Sequence, residues 1–119
     1  MTAPASLPAA ADALRGHVRD LLSRLGVPAG TGTVTRDLAL SCDPRSERWE
    51  YNVRAVSTVD TADPVALLRA GYGPDGWRVV DRGSARERAV QLSRDGFDLG
   101  VHLAGGVVVG GGATPCFPT

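Results

Sequence analysis

The hydrophobic pattern of this chain changes period sharply near residue 30, and the change limits the folds open to it. Leu7, Ala11, Leu14, Val18, Leu21, Leu22 and Leu25 fall on one face at 3.6 residues per turn, with Arg15, Arg19, Asp20 and Ser23 opposite. The spacing predicts an amphipathic helix that ends at Gly26, with Pro28 just beyond. After Gly30 and Gly32 the period becomes two. Val34, Leu38, Leu40 and Cys42 alternate with Thr33, Thr35, Asp37 and Ser41, the pattern of a strand with one buried face.

Asp43-Pro44-Arg45-Ser46 supplies turn chemistry, and a second strand follows with Trp49, Tyr51, Val53 and Ala55 on one side. Asp63-Pro64 reads as an N-cap followed by proline at the first helical position, and Val65, Leu68 and Tyr72 continue a short helix. Four further strands are expected, over 76–81, 85–93, 97–103 and 107–109. Asp95-Gly96 and Gly105-Gly106 are hairpin turns between the last three. The fold class is α+β: two helices on one face of an antiparallel sheet of about five to six strands, in the order α-β-β-α-β-β-β-β.

At 119 residues the chain is read as one domain, 1–119, with residues 1–6 disordered and 110–119 a Gly/Pro-rich tail. The expected core is Leu14, Val18, Leu21, Leu25, Leu38, Leu40, Trp49, Tyr51, Val53, Leu68, Trp77, Val79, Val90, Leu92, Phe97, Leu99, Val101 and Leu103. Hydrophobic residues make up 43% and thirteen acids balance thirteen arginines, which argues against disorder and against nucleic acid as a partner. Lysine and isoleucine are absent, which is the coding signature of a GC-rich genome. No apolar run is long enough to span a bilayer, and the start of the chain lacks the charged and apolar regions of a signal peptide.

Cys42 closes a predicted strand and Cys116 stands in the tail, where a bridge between them would tie the two together. An oxidised pair implies export, with a leader missing from this chain; two reduced thiols in a cytoplasmic domain are the alternative. Cys42 with His102 and Asp98 would supply nucleophile, base and orienter, but His102 alternates with apolar Val101 and Leu103 and belongs on the other face from Cys42. Zinc would need ligand spacing that His17, His102 and the cysteines do not show. Asp95 and Asp98 lack the ligand ladder of a calcium loop. The glycines at 105–106 and 110–112 precede no helix and form no phosphate loop; they read as a flexible edge strand and tail. No cofactor is expected. Trp49 and Trp77 are in phase with apolar neighbours and read as core.

One cluster stands out: Arg78, Arg82, Arg86 and Arg88 crowd the meander and could recognise an anion or an acidic protein face. A cysteine ending a strand, Gly76-Trp77-Arg78-Val79, Arg94-Asp95-Gly96-Phe97-Asp98-Leu99 and Thr114-Pro115-Cys116-Phe117 together resemble small exported or lipoprotein-like domains of actinobacteria. The resemblance covers most of residues 33–117 and implies a disulfide-bridged α+β domain outside the cytoplasmic membrane, without an assigned activity. The expected function is a non-catalytic, secreted or cell-envelope domain binding a protein or an anionic ligand. A cytosolic adaptor or immunity-type protein is the alternative, and a small enzyme the third reading.

Overall fold

The computed structural model describes residues 5–28, 30–56 and 63–119. Helix α1 spans Leu7–Arg24; the Ser6 hydroxyl accepts a hydrogen bond from the Ala9 N–H, and Gly26 (φ 86°) follows the last turn. Residues 1–4 of the start expected to be disordered lie outside the described residues, whereas Ser6 is fixed as this cap. Strands β1 (Thr33–Asp43) and β2 (Ser46–Val56) form the first hairpin. Helix α2 (Pro64–Tyr72) is capped by the Asp63 carboxylate, which accepts from Ala66 N–H at 3.0 Å, and a 3₁₀ turn follows. Then come β3 (Arg78–Asp81), β4 (Arg88–Arg94), β5 (Phe97–Ala104), β6 (Val107–Ala113) and a two-residue β7 (Phe117–Pro118). The two-residue turns at Asp95-Gly96 and Gly105-Gly106 each hold positive φ at Gly96, Gly105 and Gly106, and Asp95 joins them at φ 53°.

All pairings are antiparallel, in the order β1-β2-β6-β5-β4-β3, with β7 against β2. The class is α+β, as expected, but the sheet has seven strands instead of five or six. Crossing from β2 through α2 places β3 at the far edge, and the meander returns so that β6 pairs with β2. Both helices lie on one face, α1 over β2 and β6 and α2 over β3 and β4. The Tyr72 hydroxyl donates to Asp20 and so ties α2 to α1. Between the layers sit Leu14, Val18, Leu21, Tyr51, Leu68, Trp77, Leu92, Leu99 and Val101, all buried.

Two expectations about burial change. Leu38 is 42% exposed and Leu40 only half-buried. A bulge skips Thr35, so Val34 pairs with Val53 on the helical side while Arg36 pairs with Asn52 on the other. From Arg36 onward the phase is reversed: Asp37, not Leu38, faces α1, where it takes hydrogen bonds from Arg15 and from the Trp49 indole. The second change concerns the glycines. Gly110, Gly111 and Gly112 belong to β6, between β2 and β5, and are neither edge strand nor tail. A Cβ at Gly110 would stand 2.7 Å from Leu22 of α1, one at Gly111 would strike the Asn52 side chain, and one at Gly112 the Asp98 carbonyl. Close approach, not flexibility, requires glycine there.

Beyond Ala113 the chain keeps to β2. Thr114 is buried; its N–H donates to the Trp49 carbonyl and its hydroxyl accepts from the Trp49 N–H. Cys42 is the residue skipped between Ser41↔Glu47 and Asp43↔Ser46, and Cys116 immediately precedes Phe117, which pairs with Glu47 from the opposite edge. The two cysteines form a disulfide across β2, with Cα atoms 6.3 Å apart.

Two outcomes follow from this packing. Leu99→Ala should cost about 2–5 kcal/mol in urea unfolding, against under about 0.5 kcal/mol for Leu38→Ala; equal losses would restore the unbulged phase of β1. Replacing both cysteines by serine opens a loop of 74 residues and should lower stability by about 4 kcal/mol in the chain-entropy model. An unchanged melting curve for that variant under oxidising conditions would show that the bridge does not hold the fold.

Candidate functional site

Among the described residues no layer covers the face of the sheet opposite the helices, and the register sets out what that face presents. Side chains there fall into three rows across the strands. Arg54, Val109, His102, Ala89 and Arg82 form the first row, and Arg36, Asn52, Gly111, Gly100, Gln91 and Val80 the second. Leu38, Glu50, Ala113, Asp98, Ser93 and Arg78 form the third. Small residues occupy the middle: Gly100 beside Gly111, with Ala113 in the next row. They leave a depression of about 570 Å³ walled by Glu50, Asn52, Gln91, Asp98, Arg82 and His102.

Hydrogen bonds hold these walls in place. Glu50 accepts from Arg36 and Arg48, each at 2.7 Å, and the Arg36 hydrogen bond, which outweighs partial burial, holds its carboxyl below the ordinary range. Gln91 accepts from Arg82 at 2.9 Å and donates to Asp98 at 3.0 Å, which makes a chain from the end of β3 across β4 to β5. His102 Nδ1 contacts the Glu87 carboxylate. Five arginines, Arg36, Arg48, Arg54, Arg78 and Arg82, stand on this face or its rim against the carboxylates Glu50, Asp98 and Glu87. These five cations outnumber the three carboxylates set against them.

The arginines singled out in the sequence do not converge. Arg78 and Arg82 project onto the open face. Arg88 shares the helical phase of Val90 and Leu92, and Arg86 lies in the 82–87 connection, its N–H bonded to the Ser84 hydroxyl. Sequence reasoning missed Arg36, Arg48 and Arg54, whose membership depends on the Thr35 bulge and on β2 lying next to β6. It also missed Asn52 and Gln91, which only cross-strand pairing brings to either side of the paired glycines.

Cys42 is not placed to act with His102. Cys42 lies beside Glu47 and His102 is level with Arg54, seven residues along β2, or about 23 Å at 3.3 Å per residue. Its sulfur is held in the disulfide. Asp98 bonds Gln91, not His102. Among the described residues no group of three or more His, Cys, Asp or Glu side chains could hold a metal ion. Trp49 and Trp77 belong to the helical side.

His17 sits between the layers, edge-on to Trp77 and Phe97 at 5.2 and 5.3 Å. Burial pushes its imidazole below the ordinary value, the Arg94 cation adds to this, and Asp20 opposes it. Burial would raise the Asp20 carboxyl, but hydrogen bonds from Tyr72 and Arg24 hold it below its usual range.

No protein-family model matches the chain, and no curated protein or solved structure matches it significantly.

The His17 shift sets a pH dependence. With its pKa depressed in the folded state, the unfolded chain binds the proton first, near pH 6.5, so stability must fall as pH drops through that value. His17→Gln should flatten the loss between pH 7 and 5 in urea unfolding. Parallel profiles for the two proteins would count against the burial of a neutral imidazole. Asp20 and Glu50, depressed in the other ionisation class, add a further loss only below about pH 4.

Proposed function

We propose that the chain is a non-catalytic binding domain of the extracytoplasmic space, which takes an acidic segment of a partner protein on the open face of its sheet. The observation that carries this reading is the depression floored by Gly100, Gly111 and Ala113 within an arginine-rich rim. A low floor two strands wide admits an extended chain, and guanidinium groups recognise carboxylates by paired hydrogen bonds. Glu50 already holds two of the arginines. Arg54 and Arg78 make no ion pair among the described residues and stand at opposite corners of the face.

The Cys42–Cys116 disulfide supports an oxidising compartment over the cytosolic alternative. No helix among the described residues is long and apolar enough to cross a membrane. The expected arginine site of residues 78, 82, 86 and 88 becomes, in this reading, a site of Arg78 and Arg82 with Arg36, Arg48 and Arg54.

The test uses hexaglutamate as probe, with hexaserine as its uncharged control, and follows backbone amide shifts. Hexaglutamate should move Asn52, Gln91, Gly100 and Gly111, with an affinity that falls as salt is raised. Exposed charge pairs contribute about 0.2–1 kcal/mol each, so Arg54→Ala with Arg78→Ala should weaken binding roughly two- to thirtyfold, while Arg86→Ala leaves it unchanged. Shifts confined to the helical side, or equal binding of the two peptides, would overturn the assignment.

A further inference from the structure

We infer that the cleft between the end of α1 and the start of the β1–β2 hairpin is a second binding site, for a small carboxylic acid with an apolar tail. The cleft holds about 370 Å³, at the small end of the roughly 300–1,000 Å³ typical of ligand pockets. Leu22 of α1, Val27 beyond its end, Val34 of β1 and Val53 of β2 make its apolar walls. The bulge at Thr35 brings Val34 to this side, and that valine is left 50% exposed. Its exposure is the area a ligand would cover.

Three polar side chains line the same cleft, and of these the Thr31 hydroxyl is engaged, donating to the Pro28 carbonyl. Tyr51 is only 2% exposed, yet its hydroxyl makes no hydrogen bond among the described residues. Among the described residues no side-chain oxygen sealed from solvent lacks a partner, so this hydroxyl keeps an opening, and the cleft is the space that Tyr51 lines. The Arg19 guanidinium stands 6.0 Å from the centre of the Tyr51 ring and makes no ion pair among the described residues. An unused donor beside an uncompensated cation, above aliphatic walls, is the complement of a carboxylate head on an alkyl chain. A neutral head would leave the guanidinium without a counter-charge, and a head without a tail would leave the walls wet. The cleft is on the helical side, so it neither uses nor depends on the open face.

Octanoate, octanol and acetate test the assignment against the full chain, followed through the methyl resonances of Leu22, Val34 and Val53. Octanoate should shift all three saturably, octanol should bind about tenfold more weakly, and acetate should leave them in place. Tyr51→Phe removes a hydroxyl with no partner among the described residues and should keep the fold while weakening octanoate by about tenfold and octanol by less. Arg19→Gln, at an exposed position, should act in the same direction and serves if the tyrosine variant melts early. Unmoved methyls, equal affinity for octanoate and octanol, or undiminished octanoate binding in folded Arg19→Gln would each overturn the site.

Discussion

Pairing of β2 with β6 makes one sheet out of two pieces. On one side is a hairpin close in sequence and on the other a meander close in sequence; the seven pairs from Glu50↔Ala113 to Val56↔Val107 are the main join between them. Helix α1 lies along this seam, and the absence of a side chain at Gly110 lets Leu22 settle onto the strand. Asn52 covers Gly111 from the other side, so the seam is tight on both faces. Thr114 and the disulfide then extend the same contact to the end of the chain. Loss of the seam would part hairpin from meander and divide both the core and the open depression.

The two faces solve different problems. Under the helices, apolar burial is cross-tied at the borders by the Arg15–Asp37 ion pair and by the hydrogen bond from Tyr72 to Asp20, which is also paired with Arg24. On the open side no second layer forms among the described residues, and the sheet carries a lattice of hydrogen-bonded polar side chains. Glu50 between two arginines and the Arg82–Gln91–Asp98 chain fix rotamers that would otherwise be free. A surface held in this way gives up little entropy when another group settles on it.

Much of the architecture was legible because local chemistry specifies it. Asp63-Pro64, the Asp95-Gly96 turn and the stripe from Leu14 to Leu25 each name their element without tertiary help. Strand β1 failed for a physical reason. Helix α1 does not cover it, so its alternation carries no burial signal, and one skipped residue at Thr35 reverses the faces thereafter. The glycines of β6 were misread because low side-chain content signals mobility and close packing equally; only the positions of Leu22 and Asn52 decide between them. The open face was half legible: Arg78 and Arg82 stood out as a cluster in sequence, while Arg36, Arg48 and Arg54 join them only through strand order.

All six aromatic residues, Trp49, Tyr51, Tyr72, Trp77, Phe97 and Phe117, lie in or against the core on the helical side. The open face therefore presents no tryptophan, tyrosine or phenylalanine ring. That makes the face optically dark. Events there leave the two indoles undisturbed, whereas changes around His17 reach Trp77 directly, so intrinsic fluorescence reports on the interior of this protein and is blind to its exposed sheet.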